Sequence, residues 1–234
     1  MSDAPIGIIG SGNIGAGVAR LAVTAGLTMV LANSRGPESL GDLVTELGDA
    51  ASAETVEGAI ARADLVVLAL PFGAYDQLPA AALAGKTVLD ATNYYPDRDG
   101  HVAALDEGTI TSSELLASAF PDAAVVKGMN NVDFLRLTQL PKAAGAADRT
   151  ALPIAGDDTN AKVRVAAFLD AVGFDALDLG ELAEGRRSQP GTPIYVTPYY
   201  RPAEPPVEDP MQAFVTAIPV SVPLARAQEL AASA

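Results

Sequence analysis

Two kinds of hydrophobic segment alternate along most of the chain. Short runs of β-branched or aliphatic residues are followed by alanine-rich stretches of helical length, an order typical of a parallel sheet covered by helices. The runs predict eight strands: Ile6–Ile9, Thr28–Ala32, Ala50–Ala53, Leu65–Leu70, Thr87–Asp90, Ala124–Lys127, Ala151–Ala155 and Phe174–Asp178. The expected fold class is therefore α/β with a doubly wound, mainly parallel sheet.

Two of the intervening helices are marked by capping residues. Thr111 and Glu114 have the spacing of a capping box, in which each side chain binds a backbone N–H group of the other residue. Asp157 or Asp158 can cap a second helix, which is expected to run to about Val172.

The sequence changes character after Gly185. The segment QPGTPIYVTPYYRPAEPPVEDP, residues 189–210, is crowded with proline, which is unfavourable in helices and in central strands. We expect an extended arm that covers an acceptor pocket or a neighbouring subunit, because its tyrosine and aliphatic side chains are costly to expose. One short helix is predicted at Asp209–Pro210 and another after Pro223.

Composition excludes several classes of protein. No stretch approaches the roughly 18 apolar residues of a membrane span, and the N-terminus lacks the pattern of a signal segment. With no cysteine, there is no disulfide or thiolate chemistry. A net charge of −14 makes nucleic acid an unfavourable partner. We therefore expect a cytoplasmic protein without nucleic-acid or membrane partners.

A glycine motif lies directly after the first predicted strand. Gly10, Gly12 and Gly15 form G-x-G-x-x-G at a strand-to-helix turn, where a dinucleotide pyrophosphate approaches the backbone closely. The N–H groups near Asn13 and Ile14 can bind the anion together with the helix dipole. A purely steric role for the glycines is the alternative, but the flanking strand and helix favour a Rossmann-type dinucleotide site.

The end of the second predicted strand favours NADP(H) over NAD(H). NAD-binding proteins usually place a carboxylate there, whereas this strand is followed by Asn33, Ser34 and Arg35. Hydrogen-bond donors and a guanidinium group suit a 2′-phosphate. The alternative interpretation is an ordinary polar turn.

Several motifs together resemble the NADPH-dependent reductases of the deazaflavin coenzyme F420. Besides the glycine loop, including Ser11, and the NSR sequence, they are LALPF at 68–72, DATN at 90–93, VVKGMNN at 125–131, IAGDD at 154–158 and DLGEL at 178–182, followed by Arg186. A similar fold forms the cytosolic NADPH-binding part of the membrane-bound metalloreductases. F420-dependent members have histidine where this chain has Asn130, which leaves the acceptor open.

The resemblance implies a Rossmann-type NADP-binding domain at 1–127 and a small C-terminal α/β domain with the arm at 128–234. It also places a first group of side chains around the nicotinamide and a second around the electron acceptor. The first group is Leu70, Pro71, Phe72, Asn93, Met129 and Asn130. The second is Tyr94, Asn131, Arg186, Thr192 and Pro193. A homodimer is expected.

The residues themselves leave some of these roles open. Pro71 either turns the chain over the cofactor or simply terminates its strand. Asn93 fits the nicotinamide carboxamide and ordinary turn chemistry equally well. Tyr94 and Tyr95 provide either a stacking wall for a flat acceptor or half-buried rim residues. His101 lies in a polar loop and is interpreted as solvated, and Lys127 points at the cofactor or outward.

Missing groups limit the possible mechanism. Reduction of a carbonyl or imine normally needs a positioned proton donor, and no obvious one stands in the sequence, so no catalytic residue is assigned. Hydride transfer to a deazaflavin or flavin requires mainly stacking and exclusion of water. We therefore expect NADPH to exchange hydride with F420 or a flavin, without a metal. The alternatives are a small carbonyl or imine reductase and a non-catalytic NADP sensor.

Overall fold

The computed structural model describes residues 4–234. Eight strands form one sheet in the order β3-β2-β1-β4-β5-β6-β7-β8. All neighbouring strands are parallel except β6 and β7, which are antiparallel. The strands are β1 Ile6–Ile9, β2 Met29–Ala32, β3 Ala51–Ala53, β4 Leu65–Leu68, β5 Thr87–Asp90, β6 Ala124–Gly128, β7 Ala151–Gly156 and β8 Asp175–Asp178. This confirms the predicted mainly parallel Rossmann-type sheet.

Helices cover both faces of this sheet. They are α1 Asn13–Thr24, α2 Gly41–Leu47, α3 Val56–Arg62, α4 Ala80–Leu83, α5 Pro96–Asp99, α6 Ala103–Asp106, α7 Ser112–Ala119, α8 Phe134–Gln139, α9 Thr159–Ala171, α10 Pro210–Thr216 and α11 Leu224–Ala232. The predicted capping box of Thr111 and Glu114 is present, and Asp158 caps α9. Asp209 caps α10, and α11 begins directly after Pro223, as predicted.

The two faces of the sheet bury separate hydrophobic clusters because side chains alternate along each strand. Ile8 and Val67 belong to one cluster, whereas Ile9, Val66 and Leu68 belong to the other. Such strands are apolar on both sides, as expected for parallel strands between helical layers. The order of β1 and β4 at the centre creates a crevice at the carboxyl ends of these strands, where open α/β sheets bind ligands.

The segment after residue 127 contributes to the same sheet. The predicted domain boundary falls within β6, and β7 and β8 extend the sheet beyond it. The arm lies against this part of the molecule, with Ile194 and Tyr199 fully buried in the main core. It then forms a two-stranded hairpin from β9 Tyr200–Arg201 and β10 Ile218–Pro219.

A buried arginine attaches the C-terminal segment to α8. Arg136 is fully buried and donates hydrogen bonds to the carbonyl oxygens of Phe214 at 2.6 Å and Ala217 at 3.1 Å. Its guanidinium also lies over the rings of Tyr200 and Phe214, at 5.0 and 4.8 Å from their centroids. This contact fixes the arm next to the start of α8. Within residues 4–234, no helix is long and apolar enough to cross a membrane.

Candidate functional site

The three glycines of the loop do not all have the same structural role. Gly10 has φ +108°, and a Cβ there would lie 2.2 Å from the carbonyl oxygen of Ala69. A Cβ on Gly15 would lie 1.9 Å from the carbonyl oxygen of Gly10. At Gly12, by contrast, a Cβ would meet no atom within 4 Å. Gly10 and Gly15 are therefore required by packing, whereas Gly12 keeps space open above the loop.

The start of α1 has the properties of an anion site. Gly12 is its N-cap and supplies no side-chain acceptor, and the first turn holds no acidic residue. The first N–H groups of a helix lack partners within the helix, and they carry the positive end of its dipole. Asn13 and Ile14 thus present backbone donors beside the open space at Gly12, which suits a phosphate group.

The turn after β2 is organised by Asn33. Its side-chain amide donates to the hydroxyl groups of Ser11 and Ser39, both at 2.9 Å, and its Oδ1 accepts from the N–H of Arg35 at 2.9 Å. Asn33 therefore joins the glycine loop to the turn. Ser34 and Arg35 are exposed and line the groove above it.

Two adjoining cavities follow the carboxyl ends of the strands. The first cavity, about 630 Å³, lies over the glycine loop and is lined by Asn33, Ser34, Arg35 and Glu57, among others. The second cavity, about 390 Å³, lies over the ends of β4, β5 and β6. Both cavities include four residues, Gly12, Ala69, Leu70 and Pro71, in their walls. The two form one continuous groove across the switch point of the sheet.

Asn93 and Asn130 form the floor of the second cavity. The amide of Asn93 donates to the carbonyl oxygen of Asn130 at 2.8 Å, and the amide of Asn130 donates to Asn93 Oδ1 at 3.1 Å. Asn130 also donates to the carbonyl oxygen of Ser188 at 2.9 Å. Among the described residues its Oδ1 is buried without a hydrogen-bond partner. That orphaned acceptor and the amide pair fit a ligand carboxamide.

A buried ion pair supports this floor. The Lys127 ammonium lies 3.2 Å from Asp90 Oδ2, and it also donates to the carbonyl oxygen of Thr92. Asp90 accepts further hydrogen bonds from Thr92 and from the hydroxyl of Ser113. Burial lowers the pKa of Lys127, and the charge of Asp90 opposes that shift. Lys127 points neither at the cofactor groove nor outward, so both sequence-based alternatives are wrong.

Two residues with strained backbone lie in the wall of the second cavity. Met129 and Val196 both have φ of 56°, which is unfavourable for side chains other than glycine, and especially for a β-branched one. Val196 is held there by its N–H, which donates to the carbonyl oxygen of Asn131 at 2.8 Å. The arm is thereby fixed against the end of β6.

An aromatic and cationic group forms another part of this wall. The hydroxyl groups of Tyr95 and Tyr195 are hydrogen-bonded to each other, and the Tyr195 hydroxyl also lies 3.5 Å from the amide of Asn93. The Arg98 guanidinium lies 4.9 Å from the centre of the Tyr95 ring and donates to the carbonyl oxygen of Asn93 at 2.7 Å. Burial raises the pKa of Tyr195.

The structure brings most of the sequence-predicted cofactor residues to this groove. Gly15 supports the loop from below, and Phe72 is buried in the core against Tyr75 and Tyr94. The residues that line one or both cavities are Gly10, Ser11, Gly12, Asn13, Ile14, Asn33, Ser34, Arg35, Leu70, Pro71, Asn93, Met129 and Asn130.

The residues expected at the acceptor line neither of these two cavities. The Tyr94 hydroxyl donates to Asp106 at 2.7 Å, and its ring borders a third cavity of about 350 Å³ beside α6. Asn131 is fully buried and donates to the carbonyl oxygen of Ile194 at 3.2 Å. Arg186 is exposed and paired with Glu184 at 2.6 Å. The Thr192 hydroxyl donates to the carbonyl oxygen of Gln189 at 2.8 Å, and Pro193 is exposed.

Other residues reach the second cavity without having been predicted from the sequence. They are Arg98, Val132, Asp133 and Phe134. Tyr95, which was considered as a stacking or rim residue, and Tyr195 and Val196 of the arm also line this cavity. The apolar content of the arm gave a partial signal, because its tyrosine and aliphatic side chains were expected to cover a pocket or another subunit. His101, interpreted as solvated, is 78% exposed and pairs with Asp106 at 2.9 Å.

Known proteins resemble the chain in sequence and structure. The family described as "NADP oxidoreductase coenzyme F420-dependent" matches residues 5–94. A hypothetical protein from Sinorhizobium meliloti is 31% identical in sequence. Its structure superposes with a TM-score of 0.73 over 82% of this chain and 93% of that one. A protein assigned as an F420-dependent NADP-reductase from Arthrobacter sp. FB24 is 25% identical, with a TM-score of 0.67 over 78% of this chain and 87% of that one.

The metalloreductases are related over a shorter part of their length. Metalloreductase STEAP3 of Rattus norvegicus is 30% identical over 202 residues, which cover 85% of this chain. The matching region is 38% of that protein, so the chain spans little more than a third of it. At 202 residues, the match extends beyond the glycine loop to the segments after β5 and β6 that contain Asn93 and Asn130. The chain therefore belongs to the coenzyme F420-dependent NADP oxidoreductase family and is an NADP-dependent oxidoreductase.

Proposed function

We propose that the protein exchanges a hydride between NADPH and a planar redox cofactor, either coenzyme F420 or a flavin. The observation that carries this proposal is the continuity of the two cavities across Gly12 and Pro71. The first cavity has the donors for a nucleotide diphosphate, and the second is about 390 Å³ with aromatic walls. A flat ring placed there meets apolar and tyrosine surfaces, which suit stacking.

The residues present fit the cofactor. Ser34 and Arg35 would hold the 2′-phosphate, and the backbone of Gly12–Ile14 would hold the pyrophosphate. Asn93 and Asn130 would orient the nicotinamide carboxamide, because Oδ1 of Asn130 lacks a partner in the described chain. Bound NADPH supplies the hydride. The protein's own contribution is to fix the two rings and to exclude water with Val196 and the Tyr95–Tyr195 wall.

A second candidate function is the reduction of a small carbonyl or imine. The specific observation that favours it is the hydroxyl of Tyr195 in the second cavity, since such reactions need a positioned proton donor.

The homodimer and the cytoplasmic location remain predictions, and light scattering of the purified protein tests the first of them.

Steady-state turnover with a panel of acceptors tests the proposal. NADPH oxidation is followed with coenzyme F420, riboflavin, FMN, and a set of cyclic imines and ketones. We expect turnover with F420 or a flavin, and a much weaker reaction when NADH replaces NADPH. Turnover confined to imines or ketones would favour the second candidate. NADPH binding without turnover of any acceptor would contradict both and would identify a sensor.

A further inference from the structure

Tyr95 and Tyr195 come from distant segments and meet at the second cavity. Tyr195 belongs to the arm and is half-buried, whereas Tyr95 precedes α5 and is 36% exposed at the rim. Their hydroxyl groups are hydrogen-bonded to each other, and both residues line the second cavity. The pair therefore forms a two-phenol path from the cavity to solvent.

The hydrogen bonds of Tyr195 are compatible with an O–H that is directed at a ligand. The amide of Asn93, 3.5 Å away, can act only as a donor toward the Tyr195 oxygen. If Tyr95 also donates, the Tyr195 oxygen accepts twice, and its own O–H is left for a ligand in the cavity. Tyr95, at the rim, is exposed enough for its hydroxyl to exchange a proton with solvent.

The charges around Tyr195 suit a phenol that holds and then gives up a proton. Burial raises its pKa, so the phenol is protonated across the neutral range. The titratable and charged groups around it are Tyr95 and Arg98, whose guanidinium is paired with Asp99 at 2.8 Å, and Asp133 lines the same cavity. The Arg98 cation acts against the effect of burial and favours the phenolate that proton donation leaves behind.

We propose that Tyr195 donates the proton that accompanies hydride transfer to the acceptor, and that Tyr95 returns a proton to it from solvent. This inference rests on the proposed function. The Tyr195 O–H bond breaks, its electron pair remains on the phenolate, and an acceptor ring nitrogen gains the proton. The hydride and its two electrons come from NADPH, which leaves as NADP⁺. Proton transfer through Tyr95 then restores the Tyr195 phenol.

Three matched phenol-to-benzene variants test the assignment in the full-length protein. Tyr195→Phe is expected to lower kcat with F420 or riboflavin by about 100-fold, as for loss of a general acid. Its kcat should fall as pH rises from 6 to 9, and a small buffer acid such as imidazolium should partly restore it. Tyr95→Phe should have a smaller effect of the same kind. Tyr75→Phe, whose ring packs on Phe72 and Phe120 outside the groove, is the control and should match the wild type.

A binding measurement provides a readout that does not depend on turnover. Oxidised F420 or riboflavin is titrated into the NADP⁺-saturated protein, where no hydride is available. Loss of one hydrogen bond in Tyr195→Phe should weaken acceptor binding by about 2- to 12-fold without changing NADP⁺ affinity.

The possible outcomes separate the two proposals. A wild-type protein inactive with every deazaflavin and flavin overturns the proposed function, and this inference with it. An active wild type with an unchanged kcat and pH profile in Tyr195→Phe overturns the inference alone. A loss of stability without pH dependence or buffer rescue assigns Tyr195 a merely structural role and also overturns it.

Discussion

The first and second cavities are built in opposite ways although they form one groove. The first cavity depends on backbone geometry within short segments, the glycine loop and the turn at Asn33–Gly36. The second depends on side chains from the segments that follow β5 and β6, from α5 and from the arm, joined by amide and hydroxyl hydrogen bonds. In the first cavity, Asn33 alone connects Ser11 of the glycine loop to Arg35 of the turn. In the second, the Asn93–Asn130 pair also binds the Ser188 carbonyl oxygen and so joins three separate segments.

This difference separates how the two cavities respond to substitution. Backbone donors cannot be removed by changing a side chain, so the first cavity is disturbed mainly by adding bulk or by removing the charge of Arg35. The second cavity holds its shape through a network in which each member depends on the others, and loss of one partner leaves buried polar groups unpaired. We therefore expect binding defects from the first cavity and combined defects of stability and turnover from the second.

Gly12→Val is expected to have the largest effect and to break the first cavity alone. The added side chain meets no protein atom within 4 Å of its Cβ, so it occupies the ligand space rather than the core. NADPH affinity should fall by more than about 1,000-fold, roughly 4 kcal/mol. Fluorescence titration measures the affinity, and circular dichroism should show an unchanged melting temperature.

Gly15→Val is the matched control for that variant. Its Cβ would lie 1.9 Å from the Gly10 carbonyl oxygen, so the protein should lose stability rather than ligand space. Normal NADPH binding by folded Gly12→Val would show that the loop has a steric role alone.

Lys127→Met is expected to have the next largest effect and to act on the second cavity. It leaves the buried Asp90 carboxylate without its ion-pair partner, which typically costs about 3–5 kcal/mol of unfolding free energy. Because Lys127 also holds the Thr92 carbonyl, the position of Asn93 should loosen and acceptor turnover should fall more than NADPH affinity.

Urea unfolding and steady-state kinetics measure these two effects. Lys86→Met is the control, since Lys86 lies just before β5 and forms no ion pair within residues 4–234. Its unfolding free energy should change by less than about 0.5 kcal/mol. Equal losses in the two variants would show that the buried pair does not support the site.

The same contrast explains what the sequence could predict. The glycine loop, the turn at Asn33 and the helix caps are local patterns, and the structure shows the predicted strands and the two capped helices within one or two residues of their predicted bounds. The Leu65–Leu70 strand ends earlier, at Leu68, because Ala69 and Leu70 already form the groove wall. Periodicity and turn chemistry are sufficient for such features.

The second cavity lay beyond local patterns. Its main contacts join residues 37 and 100 positions apart, as in Asn93–Asn130 and Tyr95–Tyr195, and tertiary packing determines which of them meet. The arm was expected to cover an acceptor pocket or another subunit, and Tyr195 and Val196 do line the second cavity of their own chain. Since Ile194 is fully buried, removing the whole arm would expose the core, so point variants are the better test.

Arg35→Ala is expected to have the smallest effect of the three and to sharpen the description of the first cavity. The amide of Asn33 is already used by Ser11 and Ser39, so the positive charge for a 2′-phosphate has to come from Arg35. The chain carries a net charge of −14, and Glu57 lines the same cavity, which makes that single cation more important. NADPH should bind about 1.5–3 kcal/mol more weakly, as for a charge-assisted hydrogen bond, while NADH binding stays nearly constant.

Titration of NADPH and NADH into the wild type and Arg35→Ala at low and high salt tests this prediction. The loss for NADPH should shrink as salt rises, because Arg35 is exposed and its charge is screened. Arg226→Ala, which removes an exposed arginine from α11 far along the chain, should leave both affinities unchanged. If Arg35→Ala weakened NADH as much as NADPH, the residue would contact the adenosine rather than the 2′-phosphate. Asn33–Gly36 would then not select for the 2′-phosphate, and a preference for NADP(H) would have to arise elsewhere in the first cavity.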